Sequence, residues 1–344
     1  MTNWPQAVLP FIDAIKDKPD FPRRLVDLAL KMAPRLSAQE TCQLCLAARR
    51  MAPMDQEVWA KSSDLIAAHV PRWHGDLIQD DDRNAAYEDG IRAAIKPGMR
   101  VLDIGTGTGL LAMMAARAGA VQVYALEMNP FLAEVARETI AANGFQDQVT
   151  VIEACSDQIE IGREIPEPCD ALVQEIIADN VVAEDVLRYV QDAKARLLKP
   201  NAVLVPDSVS AMGRLIHKDH RWTGEKRGLD LSALSLLRPL TYREFKTKTV
   251  LSAATELFRL TLSKPDIPTR FEVNIPVSRS GDVNGVEQWL RLDFGQGIVY
   301  ENPPLTRSAW ARRSRMMLAS KSVEIGDVVR VRSEIKGLKI SVSF

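Results

Sequence analysis

Glycines stand at three alternate positions, Gly105, Gly107 and Gly109, between an apolar segment that predicts a strand (Arg100–Ile104) and a predicted helix that begins at Leu110. Glycine allows a backbone to turn tightly and to approach a ligand closely. A loop that leaves a strand and enters a helix lies at the carboxyl end of a parallel sheet, where such sheets bind ligands. The dinucleotide-binding fingerprint would place its third glycine where Leu110 stands, so this loop differs from that motif. The pattern predicts a ligand site of another kind.

The segments around this loop alternate between strand-like and helix-like patterns. The predicted strands are 100–104, 121–126, 149–153 and 171–175, and the predicted helices are 110–118, 130–143 and 185–198. Alternating units of this kind form a parallel sheet that helices cover. We therefore predict an α/β fold, with a Rossmann-like parallel sheet in residues 69–206.

Different patterns precede and follow this region. Residues 1–68 carry apolar side chains at helical spacing and predict a helical N-terminal extension. We expect this extension to pack on the next domain, and a partner-docking module is the alternative. Residues 207–344 contain short strand-like segments between turn residues, which predict an antiparallel barrel or sandwich. A more helical insert interrupts that pattern at about residues 222–251.

Charge and composition exclude several classes of protein. The chain has 44 Lys and Arg against 45 Asp and Glu, a net charge of −1, which argues against a nucleic-acid coat protein. Apolar residues make up 46% and charged residues 26%, as in globular domains and unlike disordered or collagenous chains. Four cysteines are too few for a disulfide framework. Cys42 and Cys45 lie on a predicted helix, and we expect them to pack rather than to bind a metal.

Targeting signals are not apparent. The chain does not begin with a basic region followed by an apolar stretch, so no signal peptide is expected. The most apolar segment, residues 101–126, contains Asp103 and Arg117 and several glycines, so no membrane span is expected. The expected compartment is the cytoplasm.

An acidic residue, Glu127, follows the second predicted strand. A carboxylate at this place can accept hydrogen bonds from both hydroxyls of a ribose. The run Asp103-x-Gly105-x-Gly107-x-Gly109, followed by Glu127, resembles the S-adenosylmethionine site of class I methyltransferases. The resemblance implies that S-adenosylmethionine is the cofactor and that these five residues bind it.

Two glutamates, Glu175 and Glu184, flank a loop directly after the fourth predicted strand. Two carboxylates can clamp a guanidinium, whose five N–H donors have a fixed geometry. A protonated guanidinium is a poor nucleophile. The pair would orient it and hold its charge on one side, so that the other terminal nitrogen can attack a methyl group. We predict that Glu175 and Glu184 are catalytic.

Together, the glycine loop, the glutamate pair and the all-β second domain resemble the protein arginine methyltransferase family. The resemblance covers about residues 70–344 and is most specific in residues 73–184. It implies transfer of a methyl group from S-adenosylmethionine to a guanidinium nitrogen of arginine in a protein. It also implies that the insert at about 222–251 is a dimerisation arm, and hence a homodimer.

The same resemblance implies roles for single residues. Arg83 matches the arginine that meets the methionine carboxylate of the cofactor, Asp157 matches an acidic contact to the adenine, and His74 belongs to the cofactor site. Asp80 and Trp310 match residues on the acceptor side of the site, with weaker support.

Three features depart from the family's pattern. The usual Thr-His-Trp turn of the barrel is matched by Ser308-Ala309-Trp310, so the histidine that pairs with the aspartate matched by Asp80 is absent. We therefore expect Asp80 to lack its partner. The tyrosine-rich helix that covers the cofactor is not apparent before His74, and the loop between Glu175 and Glu184 lacks aromatic residues.

A basic cluster surrounds the altered turn and consists of Arg307, Arg312, Arg313 and Arg315. A basic rim there would repel an arginine-rich peptide and would suit a substrate with a carboxylate or phosphate. The other interpretation is a barrel strand whose arginines face solvent.

Three functions stay open at this point. The leading one is methylation of arginine in a protein, and the second is the same chemistry on a small guanidine such as free arginine. The third is a catalytically weak cofactor-binding assembly or interaction protein.

Overall fold

The computed structural model describes residues 4–71, 73–218, 225–237, 241–243 and 248–344. None of the helices in these ranges has the length and apolar character needed to cross a membrane.

Four helices lie between residues 9 and 69. They are α1 (Leu9–Ile15), α2 (Phe21–Met32), α3 (Ala38–Met51) and α4 (Gln56–His69), with a short 3₁₀ helix at Ala33–Arg35. Ser37 and Glu40 form a capping box that starts α3. Apolar side chains of these helices share a buried cluster with Phe131 of α8 (Pro130–Ala142), so the helical extension packs on the following region as expected.

Five parallel strands form the central sheet. They are β1 (Arg100–Ile104), β2 (Gln122–Leu126), β3 (Val149–Ile152), β4 (Cys169–Gln174) and β5 (Leu198–Val205). The helices of this region are α5 (Trp73–Ile78), α6 (Asp81–Ala94), α7 (Leu110–Arg117), α8 and α9 (Val186–Arg196), and a 3₁₀ helix covers Ser156–Gln158. The strand order is β3-β2-β1-β4-β5, so the order reverses between β1 and β4. Ligands of such sheets bind in the crevice at this reversal.

Strand β5 is absent from the sequence prediction, which extended the preceding helix to residue 198. The helix α9 ends at Arg196, and Pro200 lies within β5. Because β5 is an edge strand of its sheet, it tolerates a proline that cannot donate a ladder hydrogen bond.

The remaining strands are antiparallel, as predicted for residues 207–344. They are β6 (Ser208–His217), β7 (Glu225–Lys226), β8 (Leu229–Asp230), β9 (Thr241–Arg243), β10 (Thr249–Val250), β11 (Thr255–Thr261), β12 (Arg270–Pro276), β13 (Gly281–Asp293), β14 (Val299–Glu301), β15 (Arg313–Val323), β16 (Val328–Lys336) and β17 (Lys339–Ser343). The long strands β6, β13 and β15 lie at the centre of the largest antiparallel sheet, and β16 lies between β12 and β17 in another.

The insert at 222–251 is less helical than predicted. Its described part holds the short strands β7 to β10 and a single 3₁₀ helix at Ser232–Leu237. Strand β9 pairs with β15 and β10 pairs with β6, because their threonine and valine residues suit the edge of a sheet. Residues 222–224, 238–240 and 244–247 of the predicted arm lie outside the described residues.

Candidate active site

The glycine loop and the first glutamate leave neighbouring strands side by side. Ile104 of β1 is in register with Gln174 of β4, so Gly105 and Glu175 are the next residues on the two strands. Gly105 has a φ of +75°, and a Cβ atom there would lie 2.7 Å from Cγ2 of Ile176. Only glycine fits this position without displacing its neighbour. The loop and the glutamate therefore meet at the reversal in strand order.

A cavity of about 450 Å³ opens in front of the glycine loop. Its lining combines the loop, the end of β2, the start of α8 and the helices α4 to α6. The lining residues that matter most here are His69, Trp73, His74, Arg83, Gly105, Gly107, Glu127, Glu175 and Glu184. His69, at the end of α4, was not predicted as part of the site, whereas Trp73 directly precedes His74, which was.

Glu127 is held rigidly at the end of β2. Its two carboxylate oxygens accept hydrogen bonds from the backbone N–H groups of Gly107, at 2.9 Å, and Asn129, at 2.8 Å. Burial raises the pKa of Glu127, and these backbone donors oppose that shift. A carboxylate has about four acceptor sites, so the two oxygens retain capacity toward the cavity. This arrangement fits the paired hydroxyls of a ribose.

Three residues predicted to bind the cofactor do not line the cavity. Asp103 is fully buried and accepts a 2.6 Å hydrogen bond from the Thr106 hydroxyl, so it braces the glycine loop from behind. Burial raises the pKa of Asp103 to about 7. Gly109 is the N-cap of α7, where its φ of +86° requires glycine. Asp157 forms an ion pair with Arg188, so its carboxylate binds a side chain of the protein itself.

Arg83 and His74 line the cavity, as predicted. Arg83 is almost completely buried, and its guanidinium forms a 2.7 Å ion pair with Glu175. Its Nε has no hydrogen-bond partner among the described residues. An unpaired buried donor indicates that a ligand completes this site. The His74 ring stacks on Trp73, and burial lowers the pKa of His74, so that its neutral form is favoured.

A second cavity, of about 460 Å³, adjoins the first. Both cavities are lined by Trp73, Leu77, Glu175 and Glu184, so the two glutamates stand where the cavities meet. Burial raises the pKa of Glu175 to about 8, although the Arg83 charge opposes this, and it raises the pKa of Glu184 to about 7, with a further contribution from the Asp179 charge. Two such carboxylates gain from a cation that enters between them.

A hydrogen bond from the barrel holds the loop between the glutamates near its start. The indole Nε1 of Trp310 donates a 2.6 Å hydrogen bond to the carbonyl oxygen of Ile177. Val181 is buried with a φ of +75°, which a β-branched residue rarely adopts. Strain of this kind is kept where the surrounding structure holds a functional loop in place. Trp310 also lines the second cavity, so it lies on the predicted acceptor side.

Comparisons with known proteins identify this constellation. Residues 89–206 match the family model described as ribosomal protein L11 methyltransferase (PrmA). A curated arginine N(omega)-methyltransferase from Streptomyces achromogenes subsp. streptozoticus is 33% identical over 309 residues, which is 86% of each chain. The chain belongs to the protein arginine methyltransferase family. Protein arginine N-methyltransferase 7 of rice (Oryza sativa subsp. indica) is 30% identical over 270 residues, and the alignment covers 70% of this chain but 37% of that protein.

Solved structures of family members share the fold. The Trypanosoma brucei PRMT1 enzyme-prozyme complex with AdoHcy aligns with a TM-score of 0.69 and 20% identity, covering 80% of this chain and 93% of that one. Arabidopsis thaliana protein arginine methyltransferase 10 aligns with a TM-score of 0.63 and 21% identity, covering 76% and 86%. The resemblance, the fold class and the cofactor are thereby confirmed. The protein is an S-adenosylmethionine-dependent arginine methyltransferase with a Rossmann-like sheet and a barrel domain.

Asp80 does not lack a partner, contrary to the expectation from the missing family histidine. Its Oδ2 accepts a 3.0 Å hydrogen bond from the Tyr300 hydroxyl and a 2.8 Å hydrogen bond from the backbone N–H of Ala309. Its Oδ1 caps α6 through the N–H of Arg83. In this family member, a tyrosine of β14 and a backbone N–H of the altered turn therefore donate hydrogen bonds to the Asp80 carboxylate.

The basic cluster around the turn is neither a basic rim nor a solvent-facing strand. Arg312 is buried and donates to the carbonyl oxygens of Asn302, Pro303 and Thr306, and Arg315 is buried and donates to Gln288 and the carbonyl oxygen of Ile340. Arg313 pairs with Asp179 at 2.5 Å. Arg307 is exposed. Three of the four guanidinium groups therefore bind other groups of the protein.

Proposed function

We propose that this arginine methyltransferase acts on arginine residues of a protein, with Glu175 and Glu184 as its catalytic residues. The observation that supports this most directly is the position of both carboxylates at the junction of the two cavities. The cavity in front of the glycine loop would hold S-adenosylmethionine through Gly105, Gly107, Glu127, His74 and Arg83. The adjoining cavity would receive the arginine side chain. Methyl donor and acceptor would then meet at the glutamates.

Arg83, Glu175 and Glu184 would have separate roles in the methyl transfer. S-adenosylmethionine, when bound, supplies an electrophilic methyl group on a cationic sulfur. Arg83 holds Glu175 in place, and Glu175 and Glu184 together bind one side of the guanidinium. This orientation leaves one terminal nitrogen free for in-line attack. A carboxylate with a pKa near neutrality is suited to accept the proton that this nitrogen then releases, and Glu184 has the pKa closer to 7.

A second candidate acceptor is free arginine. It is favoured by the Arg313–Asp179 pair in the acceptor cavity, which offers both charges that a free amino acid needs. The names of the two relatives differ in the same respect. The streptomycete relative is an arginine N(omega)-methyltransferase, and the rice relative is a protein arginine N-methyltransferase. The catalytically weak assembly protein is not favoured, since both glutamates line the site and the named relatives are methyltransferases.

We further propose a cytoplasmic homodimer with no nucleic-acid partner, assembled through the arm at 222–251. Exposed leucines in the described part of the arm, Leu229, Leu236 and Leu237, support an interface there. The near-zero net charge supports the lack of a nucleic-acid role. We also propose the division into domains at residues 1–68, 69–206 and 207–344. Sedimentation of the full chain, with and without Leu236→Asp, tests the dimer.

Methyl transfer is tested with labelled S-adenosylmethionine and two acceptors, free arginine and protein from a cell lysate. Label in acid-precipitable protein supports the protein substrate, and label in free methylarginine supports the second candidate. Glu184→Gln serves as the inactive control. Absence of label from both acceptors, with cofactor binding intact, would contradict the proposed function.

A further inference from the structure

We infer that Arg313 is a specificity-determining residue, which binds a carboxylate of the acceptor close to the arginine side chain that is methylated. The inference rests on the proposed function, because it places the acceptor guanidinium at Glu175 and Glu184. The shared chemistry is a carboxylate. It can be the α-carboxylate of free arginine or the side chain of an acidic residue next to arginine in a peptide.

Arg313 is the available cation among the described residues that line the acceptor cavity. The other cation there, Arg312, directs its guanidinium to backbone carbonyl oxygens and the Thr306 hydroxyl. Arg313 contacts Asp179, and its Nε is buried without a hydrogen-bond partner. About a third of its side chain remains exposed. A guanidinium with unpaired N–H donors in a cavity can bind a carboxylate by donating two parallel hydrogen bonds to it.

The charges on the cavity wall favour a carboxylate over a phosphate. Asp76, Glu175, Asp179 and Glu184 line the same cavity, so a dianion would meet strong repulsion. A monoanion bound to Arg313 would meet less repulsion. The acceptor guanidinium reduces it further, because its positive charge offsets the negative charges of the two glutamates. Asp179 accepts from Arg313 through Oδ1, and its remaining acceptor sites could bind a cationic group, such as the α-ammonium of free arginine. The pair thus matches the two ends of an amino acid zwitterion.

The contact also has a structural consequence, which the test must separate from recognition. Asp179 belongs to the loop between the glutamates, and Arg313 begins β15, so their ion pair joins the loop to the barrel. Loss of a purely structural link would lower kcat for every acceptor. Loss of a recognition contact would raise KM only for acceptors that carry the carboxylate.

The test compares wild type, Arg313→Met, Arg313→Lys and the control Arg307→Met, whose side chain is exposed on the same turn. The acceptors are free arginine, agmatine (which lacks the carboxylate), and two arginine peptides that differ only by Asp or Asn beside the arginine. The ratio of kcat/KM between the partners of each pair is the readout. We expect Arg313→Met to lower the arginine-to-agmatine or the Asp-to-Asn ratio by about 10- to 100-fold, since one charged hydrogen bond is lost. Arg313→Lys should restore part of the ratio, and Arg307→Met should leave it unchanged.

The two acceptor pairs identify the source of the carboxylate. A change confined to arginine against agmatine assigns the α-carboxylate, and a change confined to the peptides assigns an acidic neighbour. Equal losses on all acceptors, or a wild-type enzyme that does not distinguish the partners of either pair, would overturn the inference and leave the proposed function standing. A wild-type enzyme that binds S-adenosylhomocysteine but methylates none of the four acceptors would instead contradict the proposed function. If Arg313→Met does not fold, Arg313→Gln removes the same charge and provides the same ratios.

Discussion

Arg83 and Glu175 form an ion pair of 2.7 Å whose two side chains are 4% and 9% exposed. The arginine comes from the start of α6 and the glutamate from the end of β4, so the pair joins the helix to the edge of the sheet where both cavities meet. A buried ion pair contributes little net stability, because desolvation offsets the attraction. The ion pair instead fixes the position of the Glu175 side chain. Because Arg83 binds one carboxylate oxygen of Glu175, the glutamate has a fixed orientation before any acceptor arrives.

Neutralising either glutamate should abolish most turnover. We expect Glu175→Gln and Glu184→Gln to lower kcat by about 10²- to 10³-fold, since each removes a charge that the cationic acceptor needs. Binding of S-adenosylhomocysteine, measured by calorimetry, should survive in Glu184→Gln. A control is Glu138→Gln, which removes an exposed carboxylate of α8 that pairs with Arg50 of α3. Near-normal turnover in either active-site variant would exclude a catalytic role for that residue.

The same substitutions should stabilise the folded protein at alkaline pH. The folded-state pKa of Glu184 is raised to about 7, so ionisation of Glu184 destabilises the folded protein progressively as pH rises from its unfolded value toward 7. At pH 8 Glu184→Gln should therefore raise Tm, by on the order of 2 °C. Glu175→Gln should raise Tm as well, because burial raises the pKa of Glu175 to about 8 although the charge of Arg83 opposes that shift. Thermal melts at pH 8 test this, and a lower Tm for Glu184→Gln would contradict it.

The pH dependence of the reaction should follow the two glutamates. Their pKa values in the free enzyme are raised to about 8 and about 7, so below pH 7 both are largely protonated and bind a guanidinium poorly. We expect kcat/KM to fall as pH decreases, with an acid limb whose apparent pKa values lie between about 7 and about 8 and belong to the pair. The profile of kcat should lie at lower pH, because a bound cation favours the ionised carboxylates. A value of kcat/KM that is constant from about pH 6 to 9 would show that neither glutamate titrates in this way.

Gly105 should tolerate alanine less well than Gly144, although both have a positive φ. Each substitution forces an alanine into the left-handed region, at a cost of about 1–2 kcal/mol. A Cβ atom at Gly105 would also meet Ile176 at 2.7 Å, whereas no atom lies within 4 Å of the corresponding position at Gly144. We expect Gly105→Ala to weaken S-adenosylhomocysteine binding at least about 10-fold, since one pKd unit corresponds to a shift of 1.4 kcal/mol. Gly144→Ala should leave affinity unchanged, and equal losses of affinity would argue against the close approach.

The sequence predicted those parts of the site that local pattern determines. Glu127, Glu175 and the glycine loop each follow a strand of a parallel sheet, and the carboxyl ends of such strands meet at one edge. Their proximity therefore follows from the order of strands and helices. The ion pair of Asp157 with Arg188 was not predicted, because nothing in the local pattern reveals a partner that lies 31 positions later. Binding of the adenine by Asp157 stays a prediction.

Contacts between the sheet and the barrel could not be predicted in this way. Asp80 and Tyr300 are 220 positions apart, and Asp179 and Arg313 are 134 apart. Tyr300 lies on a three-residue strand, and no motif marks it as the partner of a carboxylate. The arginines of the basic cluster were misjudged for the same reason, since the backbone carbonyl oxygens that bind Arg312 become partners only after the turn has folded.

The hydroxyl of Tyr300 should support both stability and turnover. It donates to Asp80 at 3.0 Å and contacts the Ser308 hydroxyl at 2.8 Å, in a buried position between the start of α6 and the altered turn. Tyr300→Phe keeps the ring and removes these bonds, so we expect a loss of about 1–2 kcal/mol in the free energy of unfolding. Because Asp80 also caps the helix that carries Arg83, kcat should fall several-fold while S-adenosylhomocysteine still binds. The matched control is Tyr189→Phe, whose half-buried hydroxyl is 3.5 Å from the Cys155 sulfur. Urea unfolding and steady-state kinetics of both variants provide the comparison. Equal effects of the two substitutions would mean that Tyr300 fills space and does not position Asp80.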